Sequence, residues 1–241
     1  DYLNRHRTLI PRIREALAAD DTIAPPWVAE AKLPTWIAAI QEVSFLLVGE
    51  GRVAALAGEY DKSIDLYFAT LDLAQKLSEG GNLFVAAVCS NAKRLGIDAI
   101  YHVLDNLNQQ QLERVALELG LRIESELPFD SYLANEEADT KHFFPETIIA
   151  RKNATLVEKL ALRRLPNIYE ATYRHRYFYN DCLSVTIGTQ LRARVYLYEL
   201  KNGESPRLLE ELLDDEETPV DPVTGNAFQL VNGKLFSTGE R

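Results

Sequence analysis

Two short apolar runs, Phe228-Gln229-Leu230-Val231 and Lys234-Leu235-Phe236-Ser237, flank Asn232-Gly233. A type I′ turn needs φ > 0 at both central residues, and Asn-Gly meets that need at low steric cost, so this stretch predicts a β-hairpin. Few strand candidates precede Phe228, and apolar residues elsewhere recur at helical spacing. The expected fold is therefore mainly α: antiparallel helical hairpins in a bundle, with a small C-terminal β-hairpin. A lone hairpin is marginal in water, so Phe228, Leu230, Leu235 or Phe236 must bury against helices. The expected division is a helical domain over 1–200 and a tail over 201–241, a short helix plus the hairpin, packed on that domain.

Tyr2 to Ala19 reads as an amphipathic helix, with Pro11 either kinking it or opening its second part. Asp20 to Pro34 holds several prolines and reads as a loop. Pro34 to Val48 is the second helix, and Gly49 and Gly51 loosen the junction after it. Gly80-Gly81 breaks the chain. Val88, Ala92, Leu95, Ala99 and Val103 then form one helical stripe despite Gly96, and Gln109 to Glu126 forms another helix. Pro128 to Asp139 is acidic and reads as irregular, and Pro145 to Arg164 as helical. Pro166 starts a long helix toward Leu200 that includes Thr189 to Glu199; Gly188 weakens it by about 1 kcal/mol relative to Ala. Pro206 to Leu213 reads as a short helix, and Pro219 to Gly225 as a rigid turn.

Gly58-Glu59-Tyr60-Asp61-Lys62-Ser63-Ile64, with Tyr67, Leu71 and Leu73 after it, resembles the turn and second helix of a tetratricopeptide repeat. Gly51 falls where that repeat carries a small residue, which lets two antiparallel helices approach closely, and Ser63 falls where it usually carries Ala. Thr70 and Gln75 depart from its usual Ala and Pro, and no second copy appears at the repeat spacing. The tail, with Pro219-Val220-Asp221-Pro222-Val223-Thr224-Gly225 before the hairpin, resembles the C-terminal tail of type II secretion pseudopilins. The same order of parts is similar to uncharacterised bacterial exported and envelope proteins. That resemblance implies the periplasm or the outer face of the cytoplasmic membrane, and no activity.

Composition narrows the function classes. An apolar fraction of 46% and a charged fraction of 26% suit a folded core and exclude wholesale disorder. A net charge of −10 disfavours nucleic acid and anionic membrane surfaces as partners. No apolar run approaches the roughly 18 residues of a membrane span. The chain holds no methionine, so the natural start is expected to be missing, and a secretory signal or hydrophobic anchor before Asp1 is an expectation. Cys89 and Cys182 allow one disulfide; as buried free thiols, the favoured alternative, they behave as small apolar groups.

Candidate chemistry is sparse. Asp98, His102 and Asp105 recur at helical spacing, where a carboxylate–imidazole face binds a divalent metal or orients His102 as a base; the bland alternative is a solvated helix edge. Glu136, Glu137, Asp139 and His142 form an acidic cluster without a recognised ligand motif. Tyr169, Tyr173 and Tyr177 recur every four residues, with Arg174, His175, Arg176 and Tyr179 interleaved. Tyr169, Tyr173, Arg176 and Tyr177 are the preferred ligand-binding candidates, because aromatic faces and guanidinium forks grip peptides, glycans or anions; the alternative is core packing. Neither Gly-x-Ser-x-Gly nor a phosphate loop occurs. The Asp221 turn is expected to be a structural corner and not a calcium site, because it offers one carboxylate where calcium wants about six to eight oxygens. No cofactor is implied. The leading expectation is a non-catalytic interaction or ligand-binding module with a protein or peptide partner; the rival is a metal-dependent hydrolase with a scattered Asp/His site.

Overall fold

The computed structural model describes residues 6, 8–19, 35–79, 81, 83–135, 168–213, 217–231 and 233–237. It is mainly helical with one two-stranded antiparallel sheet at its C-terminal end, as the periodicity and the Asn-Gly signal predict. The helices are α1 (Leu9–Ala18), α2 (Thr35–Leu56), α3 (Tyr60–Ser78), α4 (Leu83–Tyr101), α5 (Gln109–Glu124) and α6 (Ile168–Asn202). Residues 129–135 are also helical. The strands are β1 (Phe228–Val231) and β2 (Lys234–Ser237), with Phe228 opposite Ser237 and Val231 opposite Lys234. Gly233 takes φ 71, the left-handed value that the turn demands and that glycine adopts without penalty.

α2 differs from expectation. It runs unbroken through Gly49 and Gly51 to Leu56, and the turn comes only at Gly58. The reason is tertiary. A Cβ at Gly51 would sit 2.4 Å from Cε1 of Tyr67, a ring only 1% exposed in α3. Glycine there costs helix propensity of about 1 kcal/mol, but it lets α3 lie directly on α2. Gly96 does the same for α3 and α4, since its Cβ would stand 2.9 Å from Leu71 and 3.2 Å from the Tyr67 carbonyl oxygen. Around these approaches lies the main core, with Ile64, Tyr67, Leu71, Ile97, Ile100 and Leu104.

α5 begins at a capping box. Asn108 Oδ1 accepts from the Gln111 N–H at 3.0 Å, and Gln111 Oε1 accepts from the Asn108 N–H at 3.1 Å. Leu112, Val115 and Leu119 carry its buried face into the main core. α6 packs across both α4 and α5, so it is the wall that closes the bundle. Pro11 is the third residue of α1, where its missing N–H would have had no helical acceptor, so it opens the helix and does not kink it. Lys76 Nζ donates to the carbonyls of Leu17 and Ala19 at 2.6 and 2.7 Å, tying the end of α1 to α3.

Other boundaries are corrected. Residues 129–135 are helical where an irregular segment was expected, because Phe129 and Tyr132 bury against Leu83, Ala86 and Tyr179. The Pro206–Leu213 segment is a single 3-10 stretch, Leu209–Leu212, not an α-helix. In the apolar run Phe45–Val48, Phe45 is 61% exposed while Leu46, Leu47 and Val48 are buried. The expected loop over 20–34 and the expected helix over 145–164 both lie outside the described residues. Among the described residues no helix is long and apolar enough to cross a membrane.

The hairpin is anchored to α6. Phe228, Leu209, Leu212 and Leu213 bury against Ile187, Leu191 and Val195. Asp221, 2% exposed, organises the corner before it. Its carboxylate accepts from the Val223 N–H at 2.9 Å, from the Thr224 hydroxyl at 3.1 Å and from the hydroxyls of Ser237 and Ser184. Burial alone would push this carboxyl up, but the four hydrogen bonds together hold it below its ordinary value. Asp221 is thus the centre of the corner, which its hydrogen bonds hold together.

Candidate functional site

The structure does not gather Asp98, His102 and Asp105 on one helical face. α4 ends at Tyr101, so His102 sits in a turn and Asp105 in a 3-10 turn, Leu104–Asn106. Asp98 is held by Arg94 Nε at 3.0 Å, and Asp105 accepts from Asn106 at 2.8 Å. The shared helical face expected for the three does not form, because the helix stops before two of them. Glu136, Glu137, Asp139 and His142 lie outside the described residues. Among the described residues no group of three or more His, Cys, Asp or Glu side chains is placed to hold a metal ion.

The tyrosine stripe is only partly visible. The side chains of Tyr169 and Tyr173 lie outside the described residues. Arg176 pairs with Asp130 at 2.8 Å and stands 4.9 Å from the Phe129 ring centroid, so it braces residues 129–135 against α6. Tyr177 is half exposed beside Phe178, while Tyr179 is buried and donates to the Leu127 carbonyl at 2.7 Å. Burial depresses the pKa of His175.

Cys89 and Cys182 are both buried and unpaired, and burial pushes each thiol up to about 12. Such thiols are inert apolar groups rather than nucleophiles. Near them, Lys93 Nζ bonds both Glu126 oxygens at 2.7 and 2.5 Å and Gln75 Oε1 at 2.6 Å. The pair borders a cavity of about 30 Å³ between α3, α4, α5 and α6. That space holds about one water, and this partly buried pair ties α4 to the end of α5.

A larger concavity lies elsewhere. A groove of about 700 Å³ runs between the outer side of α5 and the second half of α6, closed at one end by the 3-10 turn at Leu209–Leu212. Gln190 reaches across its floor and donates to the Ala116 carbonyl at 3.3 Å. Gly120 leaves room for it, since a Cβ there would stand 2.7 Å from Gln190 Nε2. Leu117 and Leu121 lie one helical turn apart on α5 and are 64% and 52% exposed at the groove. Single exposed leucines are ordinary, but two stacked beside a concavity form an apolar strip.

Acidic residues rim that strip. Glu113, Glu124, Glu211 and Glu217 line the groove, against Arg194 and Lys201. Lys201 is already paired with Glu113 at 3.1 Å, and Arg194 donates to the Leu212 carbonyl at 3.0 Å. Leu112, Val115 and Leu119 suffice to explain the core face of α5. Leu117 and Leu121, on its other side, are a surplus that helical spacing alone makes visible in the sequence. The groove's charge and apolar strip suit association. No protein-family model, no curated protein and no solved structure matches this chain.

Proposed function

We propose that this protein is a non-catalytic interaction module whose α5–α6 groove takes a cationic amphipathic helix from a protein partner. The observation that carries this reading is the exposed Leu117–Leu121 strip set in a concavity whose rim is mainly acidic. Apolar anchors of a partner helix at i and i+4 would cover the two leucines, and its lysines or arginines would face Glu124 and Glu217. The net charge of −10 favours the encounter with a cationic partner. In this reading the protein works on the outer side of a bacterial cytoplasmic membrane, a setting supported by the resemblance of its tail to those of pseudopilins.

A helical Leu/Lys amphipathic peptide, labelled with a fluorophore and titrated by anisotropy, tests the groove. Micromolar binding is expected, weakening as salt rises through the physiological range. The double variant Leu117→Ser/Leu121→Ser should weaken it by about tenfold or more with little change in Tm, because both side chains are exposed. A Leu/Glu peptide of the same pattern should not bind. Equal binding of the acidic peptide, or an unchanged affinity in the double variant, would reject the reading.

A further inference from the structure

On another side of α6 a cleft of about 500 Å³ opens between that helix, the β-hairpin and the end of α4. Its volume falls in the range of small-molecule sites. Its charge is opposite to that of the chain. Arg192 and Lys234 line it and, among the described residues, no acidic side chain does, in a protein of net charge −10. Asp221 lies close by through Ser184, but its carboxylate is taken up by the hydroxyls and N–H that surround it. Two cations in a cleft with apolar walls concentrate a positive field there.

Arg192 is held in place before any ligand arrives. Nη1 donates to the Gly233 carbonyl at 3.0 Å and Nη2 to the Tyr196 hydroxyl at 3.1 Å, with the guanidinium carbon 4.4 Å from the Tyr196 ring centroid. Those contacts use two of the five N–H donors that a guanidinium carries. Lys234 has no ion-pair partner among the described residues. The rings of Tyr101, from the end of α4, and Phe236, from β2, line the cleft and are 51% and 46% exposed.

Thr189 supplies an independent sign. It lines the cleft, is 2% exposed, and its Oγ1 is buried with no hydrogen-bond partner. Two other buried helical threonines satisfy themselves on the carbonyl four residues back: Thr186 on Cys182 at 2.8 Å and Thr70 on Leu66 at 3.1 Å. An unmet buried hydroxyl is destabilising, and a polar ligand group is one way to satisfy it.

We propose that this cleft binds a small organic anion carrying an aromatic ring. The ring lies between Tyr101 and Phe236, the anionic group meets Arg192 and Lys234, and the Thr189 hydroxyl donates to an oxygen of the ligand. The carboxylate and phosphate forms of such a ligand share this chemistry. The site is separate from the α5–α6 groove, so either can fail without the other.

Benzoate, phenyl phosphate and neutral benzamide, each titrated into the full chain and followed by calorimetry, test the assignment. At least one anion should bind at millimolar concentration or below, about tenfold tighter than benzamide, and the stronger of the two identifies the headgroup. Lys234→Gln should weaken that anion by about fivefold or more. Thr189→Val should also weaken it severalfold without lowering Tm, since no protein hydrogen bond is lost. The proposal is overturned if neither anion binds at millimolar concentration or if benzamide binds as well as the anions. It is equally overturned if both variants keep the native affinity.

Discussion

The contact of α2 with α3 and the corner at Asp221 both fold the chain back on itself, by different physics. At Gly51 the closure is steric: the absence of a side chain makes room for the Tyr67 ring, and dispersion with apolar burial does the rest. At Asp221 the closure is polar: one carboxylate gathers the Val223 N–H and the hydroxyls of Thr224, Ser237 and Ser184. Asn180 adds a bond from α6 to the Pro222 carbonyl at 2.9 Å, and the Phe228 N–H one to Pro219 at 3.1 Å. The helical body can rely on fit because it buries a continuous core. The tail has two four-residue strands and little apolar area of its own, so it needs directional bonds to fix its place on α6.

That contrast predicts an order of damage. Gly51→Val is expected to cost most, about 3 kcal/mol or more by urea unfolding, because the new atoms meet a buried ring that has no space to retreat. Adding Tyr67→Leu should recover part of the loss, a non-additivity that separates a clash from an effect of helix propensity. If Gly51→Val unfolds at the native midpoint, the steric account of this region is wrong.

Asp221→Ala should come next, at about 2–3 kcal/mol, with Asp221→Asn retaining part of the hydrogen bonding. The pH dependence has a definite sign. A carboxyl held below its unfolded value contributes stability above that value, near 3.9, and loses the contribution as pH falls through the folded value. The native protein should therefore lose more stability than Asp221→Ala does on going from pH 5 to about pH 2. Parallel acid curves for the two proteins would mean that the carboxylate charge is not what holds the corner.

Gly225→Ala should be the mildest, at roughly 1 kcal/mol. The residue takes φ 73, which costs an L-residue about that much, yet nothing stands within 4 Å of a Cβ there. A loss matching that of Gly51→Val would show that the corner is governed by backbone strain rather than by its hydrogen bonds.

Several features were legible because their causes are local. Asn232-Gly233 and its flanks announce the hairpin, and Gly58 the turn before α3. Of the expected binding stripe, Arg176 is paired with Asp130 and Tyr177 is half exposed. The α5–α6 groove was present in the sequence only as a surplus of leucines, since its concavity depends on where α6 crosses α5. The cleft at Thr189 had no local sign at all: its lining comes from α4, α6, β1 and β2, from Tyr101 to Phe236 in the chain.

The sequence by itself determined that this chain is helical and ends in a β-hairpin, because periodicity, caps and turn residues act over a few neighbouring positions. Tertiary structure decided which glycines break a helix and which continue it. In the sequence Gly51 reads both as a loosened junction and as the small residue of a helical hairpin, and the Tyr67 ring in its missing side chain's space selects the second. It also decided that Asp221 is a hub, because two of its partners, Ser184 and Ser237, come from α6 and β2 and are brought to it only by the packing of hairpin on helix. Local preferences select conformations one turn at a time, but the value of an empty space or a buried charge depends on what arrives from elsewhere in the chain.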